Sequence, residues 1–302
     1  MSLRETAVDT GFGLGWTSLR ALPESVVYRQ FGAIAELTYR RDGRGVQRLR
    51  SNLSRVLGPD TPPAQLDEVT RAGVHSYLRY WCEVFRLPAM SRETVLDRVS
   101  FDGRDRLEAA LTAGRGFILA LPHSANWDLA GAWLIHLGHP FTTVAERLRP
   151  EQLFDRFVAF RESMGMEVIP LTGGERAPSA ILAERLRAGG GLALLADRDL
   201  TTTGVRVQLF NEPARMPGGP VRLALDTGAT LLPVSLWYDG PRTMRGRFHE
   251  PIVPSANGDD AVAEMTQQLA DVFAGAISEH PADWHMLQRV WVADTSTRTG
   301  RP

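Results

Sequence analysis

From about residue 100 onward, short apolar runs alternate with amphipathic segments, and this alternation constrains the fold more than any other feature of the chain. The runs are mainly apolar and recur roughly every 25 residues, so we predict that they are buried strands. They occupy residues 116–121, 141–145, 167–171 and 191–196. Segments with helical periodicity lie between them, at 126–138, 150–164 and 177–188. Parallel strands joined by helical crossovers require this spacing, which predicts an α/β fold.

Later segments extend the predicted sheet, which becomes a mixed, mainly parallel sheet flanked by helices. Further strands are predicted at 205–210, 231–237 and 243–248, and further helices at about 218–227 and 260–278. The chain has 302 residues, of which 43% are hydrophobic, so it can bury a sizeable core. We expect a single domain, 1–302, with an N-terminal helical part at 11–90, a catalytic core at 100–294 and a loose tail at 295–302.

The stretch 117–131 places a histidine at the edge of the predicted sheet. Its apolar run ends at Pro122, which cannot donate to a strand ladder. A helix is predicted to begin near Asn126, because asparagine is a preferred helix cap. His123 therefore lies in the strand-to-helix turn, at the edge where open α/β sheets bind ligands. A neutral histidine in such a turn is a candidate general base.

Other polar side chains also follow predicted strands. Glu146 and Arg147 come directly after the strand at 141–145, and Asp197 and Arg198 come after the strand at 191–196. Because the carboxyl ends of neighbouring parallel strands meet at one edge, we expect these groups to share a cleft with His123. A carboxylate bonded to one imidazole nitrogen would fix the tautomer and leave the other nitrogen to accept a proton. The alternative for each charge taken singly is a solvated strand end.

Asp128 lies five residues after His123. On a continuous helix, at about 100° per residue, the two side chains would point about 140° apart. They can meet only if His123 precedes the helix; otherwise Asp128 shapes the turn by accepting backbone N–H groups. The sequence leaves both readings open.

Several other chemistries lack the motifs that they need. The candidate ligands for a metal are His123, Asp128, His136 and His139, but their spacing does not match an HExxH-type motif. Ser124 does not lie in a G-x-S-x-G elbow, and no P-loop motif is present. The glycines at 189–191 precede a strand, whereas a dinucleotide fingerprint follows one. We therefore expect no metal and no bound cofactor.

Composition argues against several classes of protein. A net charge of −1 argues against nucleic acid as the main ligand. The single cysteine, Cys82, excludes an intrachain disulfide, and its apolar neighbours predict a buried thiol. No apolar run reaches about 18 residues, and the start lacks the pattern of a signal peptide. We expect a soluble or peripheral cytoplasmic protein.

The N-terminal part combines apolar and basic residues. Two amphipathic segments within 11–40 carry Trp16 and Phe31, and a series of arginines follows with only Asp42 among them. These are Arg40, Arg41, Arg44, Arg48, Arg50 and Arg55. Such segments favour an anionic membrane surface. The alternative is ordinary helices packed on a core, with a solvated basic face.

Longer stretches of the chain resemble one enzyme family. The segment His123-Ser-Ala-Asn-Trp-Asp128 matches the H-x4-D motif of glycerolipid-type acyltransferases. Further matching stretches follow the order of the lipid A biosynthesis acyltransferase family, at 117–131, 141–147, 160–165, 171–175, 195–201, 215–220, 227–229 and 281–288. The chain resembles that family over nearly its whole length and, within it, the branch that acylates phosphatidylinositol mannosides.

The resemblance implies an activity and assigns roles to residues. It implies transfer of a long acyl chain, typically palmitoyl, from acyl-CoA as co-substrate to the 6-hydroxyl of a mannose on a phosphatidylinositol mannoside. It also implies an apolar acyl groove and a place at the cytoplasmic face of the plasma membrane. His123 matches the general base, Asp128 the acid of the motif, and Glu146 and Arg161 polar residues of the site. Asp197 replaces a glutamate expected in that branch, so its distance to His123 needs to be checked.

The chemistry of a thioester fits these residues. Because a thioester is already activated, the demanding steps are deprotonation of the hydroxyl and stabilisation of the oxyanion. Arg161 or backbone N–H groups of the His123 turn are candidates for binding the oxyanion or the coenzyme A phosphates. Arg198 is a further candidate substrate-binding residue. Three alternatives stay open: another glycolipid acceptor, hydrolysis by an acyl-CoA thioesterase, and a lipid-binding protein with an inactive site.

Overall fold

The structure is a computed structural model that describes residues 19–146, 151–174, 176–199, 201, 203–255 and 258–295. Three of the regions interpreted above therefore lie wholly or partly outside the described residues. These are the start of the first amphipathic segment at 11–18, Arg147, and the tail from 296 onward.

Three helices form the N-terminal part. They are α1 (Glu24–Arg41), α2 (Arg44–Leu57) and α3 (Pro63–Arg86). Their facing sides enclose a small core of Ala35, Val46, Leu49, Leu53 and Val74. Within the described ranges, no helix combines the length and apolarity that crossing a membrane would take.

The α2 helix corrects the interpretation of the arginine series. The sequence pattern assigns no element to 44–57, whereas four buried residues on one side of α2 make it an amphipathic helix. Three of its arginines are held by carboxylates: Arg48 by Asp294 at 2.7 Å, Arg50 by Asp42 at 2.5 Å, and Arg55 by Glu212 at 3.0 Å. Two of these partners lie far along the chain, so they could not be recognised from local sequence.

The remaining elements alternate as predicted. The strands are β1 (Val99–Asp102), β2 (Phe117–Leu121), β3 (Phe141–Ala145), β4 (Glu167–Pro170), β5 (Gly191–Leu195), β6 (Val205–Leu209), β7 (Glu212–Met216), β8 (Thr230–Tyr238) and β9 (Met244–Phe248). The helices are α4 (Arg92–Arg98), α5 (Arg104–Ala113), α6 (Trp127–His136), α7 (Glu151–Ser163), α8 (Pro178–Arg187), α9 (Gly219–Thr227), α10 (Gly258–Glu279) and α11 (Val292–Thr295). The sequence pattern did not predict β1, β7, α4, α5 or the four-residue helix α11.

Seven strands form one sheet in the order β1-β9-β8-β2-β5-β3-β4, and β6 and β7 form a separate hairpin. All neighbours in the seven-stranded sheet are parallel except β8 and β9. The prediction of a mixed, mainly parallel sheet flanked by helices is confirmed. The strands β2 and β5 are neighbours at its centre, which brings the residues after them together.

Helices cover both faces of the sheet. Successive side chains of a strand point to opposite faces, so Ile118 and Ala120 pack with α8, α9 and α10 on one side. Leu119 and Leu121 face the opposite layer, which is made by the end of α3 together with α4, α5, α6 and α7. The sheet is therefore buried on both sides, as a parallel sheet requires.

Candidate active site

The side chains of His123 and Asp197 contact each other at the carboxyl edge of the sheet. In the pairing of β2 with β5, Leu121 is opposite Leu195, so the residues two positions further on come face to face. Nδ1 of His123 lies 2.5 Å from Oδ1 of Asp197, and the backbone N–H of His123 donates to Oδ2 at 3.0 Å. The aspartate is long enough for this contact, although its side chain is one methylene shorter than glutamate.

Burial and hydrogen bonds act in opposite directions on Asp197. The residue is 1% exposed, and this burial raises the pKa of its carboxyl group. The charge and hydrogen bond of His123, the indole of Trp284 and the backbone N–H of His123 outweigh burial and leave that pKa below its ordinary value. The carboxylate is therefore ionised at neutral pH and can stabilise an imidazolium. Nε2 of His123 has no hydrogen bond to any residue that the structure describes, and the side chain is 22% exposed.

A C-terminal segment holds the turn that carries His123. The N–H of Ala125 donates to the carbonyl of Asp283 at 2.9 Å, and the N–H of His285 donates to the carbonyl of His123 at 2.7 Å. Ala125 has a φ of 47°, in the left-handed region that a residue with a Cβ rarely adopts. These two hydrogen bonds maintain the strained turn. The helix α6 then begins as predicted, because Oδ1 of Asn126 accepts the N–H of Leu129 at 2.9 Å.

The turn does not offer an oxyanion hole in the way that its sequence indicated. The N–H of His123 already donates to Asp197, that of Ser124 donates to the carbonyl of Pro122, and that of Ala125 donates to Asp283. Three of the backbone donors of the turn are therefore engaged within the protein.

Asp128 binds Arg161 and Tyr80 and makes no hydrogen bond with His123. Its two oxygens accept from Nε and Nη2 of Arg161 at 2.7 and 3.2 Å, and Tyr80 donates to it at 2.9 Å. Asp128 is 2% exposed, so its charge depends on this bidentate pair. Burial has the largest single effect on the pKa of Arg161 and lowers it, but the charge and hydrogen bonds of Asp128, together with Tyr80, outweigh burial and raise that pKa above its ordinary value. Neither reading of Asp128 holds in full within the described part of the chain: His123 precedes the helix without meeting Asp128, and Asp128 accepts from the side chains of Arg161 and Tyr80 and not from backbone N–H groups.

The other candidates lie at the same edge without touching the histidine. Glu146 follows β3, the neighbour of β5, and its exposed side chain has no hydrogen bond to His123, Asp128 or Asp197. Arg198 follows Asp197, and its Nε is buried with no hydrogen-bond partner among the described residues. The same holds for Nε1 of Trp127. Two buried donors near the histidine turn thus have no protein acceptor in the described part of the chain.

An apolar cavity lies between the sheet and α6. It has an empty volume of about 690 Å³, part of it open to solvent. Leu121 and Leu195 line it, and each lies two positions before a member of the His123–Asp197 pair. Trp127 lines it as well, and its ring centroid is 5.5 Å from that of His123. The ion pair of Asp128 and Arg161 also borders the cavity, which is otherwise almost entirely apolar.

The sequence pattern assigns a role at this site to neither Trp284 nor Tyr80. Trp284 donates from Nε1 to Oδ2 of Asp197 at 2.8 Å, across 87 positions of sequence. Tyr80 reaches Asp128 from α3, across 48 positions. No local pattern marks either residue, because a lone aromatic in an amphipathic segment is ordinarily a core residue.

Comparison with known proteins identifies the family. The family model described as bacterial lipid A biosynthesis acyltransferase matches residues 7–293. The chain belongs to this acyltransferase family. Two similar proteins are both named phosphatidylinositol mannoside acyltransferase. The one from Mycobacterium tuberculosis is 52% identical over 301 residues, which cover 98% of this chain and 92% of that protein. The one from Mycolicibacterium smegmatis is 50% identical over 289 residues, which cover 95% and 92%.

Membership of this acyltransferase family agrees with the geometry. Acyl transfer to a hydroxyl needs a base that is held by a carboxylate and placed beside an apolar space. Within the described residues, His123 contacts Asp197 beside the cavity, an arrangement that is compatible with this chemistry.

Proposed function

We propose that this protein transfers a long acyl group, typically palmitoyl, from acyl-CoA to the 6-hydroxyl of a mannose in a phosphatidylinositol mannoside, with His123 as general base. The observation that carries the proposal is the His123–Asp197 pair beside the cavity under α6. The two mycobacterial relatives named phosphatidylinositol mannoside acyltransferase support the choice of acceptor.

The proton follows a short path in the proposed reaction. Nε2 of His123 accepts the proton of the sugar hydroxyl while the hydroxyl oxygen bonds to the thioester carbonyl carbon. The ionised Asp197 stabilises the imidazolium through Nδ1. When the tetrahedral intermediate collapses, the carbon–sulfur bond breaks and the imidazolium returns the proton to the sulfur. The products are an ester and a free thiol, so atoms and charge balance.

The cavity is the proposed site of the acyl chain. Its walls come from β2, β3, β5, β8 and α6, and apolar side chains dominate them. A long hydrocarbon chain leaves water on entering, which contributes roughly 0.8 kcal/mol per buried methylene. The ion pair of Asp128 with Arg161 closes part of the wall and keeps α7 against α6. We therefore assign Asp128 and Arg161 to the shape of the cavity and not to proton transfer.

The buried Nε of Arg198 is a candidate ligand for the anionic part of the donor or acceptor. A guanidinium donor that has no acceptor among the described residues is suited to a phosphate oxygen. Glu146, at the exposed edge beyond β3, is placed to meet the sugar hydroxyls. No metal or cofactor takes part in the proposed reaction.

An assay with two labelled products tests the activity. Purified protein is given acyl-CoA labelled in the acyl chain, with and without a phosphatidylinositol mannoside acceptor. We expect label in the glycolipid, dependent on acceptor, and loss of transfer on His123→Ala. The matched control is His139→Ala, at the other end of α6, which should keep the rate. Acceptor-independent release of free acid would instead indicate a thioesterase, and wild-type transfer by His123→Ala would refute the assigned base.

We also propose that α1 places the protein peripherally on the cytoplasmic, anionic face of the plasma membrane. Ile34 and Leu37 on this helix are 47% and 48% exposed. Arg41 and Arg44 are exposed near its end and have no ion pair with the described residues. An apolar stripe beside basic residues favours a bilayer that contains anionic lipid.

Liposome co-sedimentation tests this placement. We expect the protein to sediment with vesicles that contain phosphatidylinositol and to sediment less on Ile34→Ser with Leu37→Ser. Leu225→Ser is a matched control, because Leu225 is an exposed leucine on α9 at 36% exposure. Sedimentation that ignores both anionic lipid and the double substitution would exclude α1 as the membrane contact.

A further inference from the structure

The second carboxylate oxygen of Asp197 has a side-chain donor of its own. Oδ1 faces the imidazole, whereas Oδ2 accepts from Nε1 of Trp284 at 2.8 Å and from the backbone N–H of His123 at 3.0 Å. We propose that Trp284 is a positioning residue of this acyltransferase: its indole N–H fixes Oδ2, so that Oδ1 stays aligned with Nδ1 of His123. The inference rests on the proposed function for its catalytic consequence, but its geometric part concerns the His123–Asp197 pair alone.

The donor matters because the carboxylate is sealed from water. Asp197 is 1% exposed, so no solvent molecule can replace a lost hydrogen bond without a change in packing. Without the indole N–H, Oδ2 would keep the backbone N–H of His123 alone, and rotation of the carboxylate about its last bond would be less restricted. An imidazole that is held less firmly spends less time in the orientation that proton transfer requires.

Trp284 is itself fixed by its surroundings. It is 0% exposed, and its ring meets that of Trp291 edge-on, with centroids 6.2 Å apart. Phe210 packs at a tilt, with centroids 6.4 Å apart. An indole enclosed in this way delivers its N–H to one place, which is the property that a positioning donor needs.

The segment around Trp284 aligns the base as well as the acid. Asp283 and His285, on either side of it, hydrogen-bond through their backbones to Ala125 and His123. The side chain of Trp284 thus orients the carboxylate, while its two neighbours hold the strained turn that carries the imidazole. The segment 283–285 therefore orients both the carboxylate of Asp197 and the imidazole of His123.

Trp284→Phe tests the proposal, because phenylalanine keeps an aromatic ring and removes the N–H. We expect kcat to fall about 10- to 100-fold with little change in KM, the effect of one lost hydrogen bond to a charged group in the transition state. Trp237→Phe is the matched control: Trp237 is also buried, at 7% exposure, but its ring stacks on His280 and not on Trp284. Equal losses in the two variants would overturn the proposal.

A double-substitution cycle separates positioning from packing. If Trp284 acts through Asp197, then adding Trp284→Phe to Asp197→Ala should cost little beyond Asp197→Ala alone. A full additional loss would mean that the indole acts only on the fold and would refute the proposal. If Trp284→Phe does not fold, benzothienylalanine at position 284 removes the N–H with almost no change of shape. Full activity of that protein would likewise overturn the role.

A measurement without substrate keeps the proposal distinct from the proposed function. The low-field proton resonance of the imidazole N–H bonded to Asp197 reports the alignment of the pair directly. We expect Trp284→Phe to shift or broaden this resonance and Trp237→Phe to leave it in place. If the wild-type protein transfers no acyl group but the resonance responds in this way, the proposed function fails and the positioning role stands. An unchanged resonance in Trp284→Phe removes the positioning role whatever the activity.

Discussion

Asp197→Asn is the substitution that most directly tests the proposed acid–base pair. The aspartate accepts three hydrogen bonds with two oxygens: the imidazole on Oδ1, and the N–H of His123 with the indole of Trp284 on Oδ2. Asparagine has one oxygen and one NH2 group in the same space. If its oxygen keeps the two donors on the Oδ2 side, its NH2 faces Nδ1 of His123 and forces that nitrogen to accept.

The consequence for His123 is the wrong tautomer. With Nδ1 as an acceptor, Nε2 carries the proton and cannot take one from a hydroxyl. A comparable exchange in a Ser-His-Asp triad lowers kcat by about 10⁴. We expect a fall of about 10³ to 10⁴ in kcat here, equivalent to roughly 4–5.5 kcal/mol of transition-state stabilisation, with KM almost unchanged.

The assay compares steady-state transfer by the wild-type protein, Asp197→Asn and Asp197→Glu. The glutamate variant keeps the negative charge and should lose much less activity than the asparagine variant. Some loss is expected because the extra methylene must fit a site in which Asp197 is 1% exposed. Thermal unfolding of each variant shows whether the fold is intact. Mild and equal losses, below about tenfold in both variants, would show that the carboxylate does not act in proton transfer.

Three further outcomes follow from the same structure. Arg161→Met leaves the carboxylate of Asp128 buried without its partner, so urea unfolding should show a loss of about 3–5 kcal/mol; no loss would mean that the ion pair does not stabilise the fold. Ala193→Phe fills the cavity from β5 and should slow transfer of palmitoyl about 10- to 100-fold while sparing octanoyl, judged by rates with both donors; equal slowing would place the acyl chain elsewhere. The pKa of Asp197 lies below its ordinary value of 3.8, so its ionised form stabilises the fold fully above that pH and progressively less below it. Denaturation should therefore show the advantage of the wild type over Asp197→Asn shrinking as the pH falls below 3.8; a constant difference would contradict the lowered pKa.

The sequence contained enough information for the sheet and for the central pair. Short apolar runs at regular spacing predict parallel strands, and their carboxyl ends must share an edge. That argument predicted that His123 and Asp197, which follow two strands, lie at one edge of the sheet, but it did not predict that these two strands are neighbours. The register then determined the contact, because Leu121 and Leu195 are paired.

The parts that were missed depend on contacts that are distant in sequence. Strand β1 is four residues long and is recognisable as a strand only through its pairing with β9, more than 140 positions later. The arginines of α2 looked like a free basic face until their partners Glu212 and Asp294 came into contact. Trp284 reaches Asp197 because the last part of the chain folds back over the sheet. Pattern and spacing describe neighbours along the chain, and none of these pairs are such neighbours.

The sealed position of Asp197 has a consequence for how each catalytic cycle ends. Because the acid side of the imidazole is closed by Asp197 and Trp284, protons can enter and leave only at Nε2, the nitrogen without a hydrogen bond to the described residues. In the proposed reaction, the proton taken from the sugar would therefore leave by the opening through which it arrived, onto the sulfur of the leaving group. In the proposed reaction, the enzyme is reset for the next acceptor without drawing on the surrounding buffer.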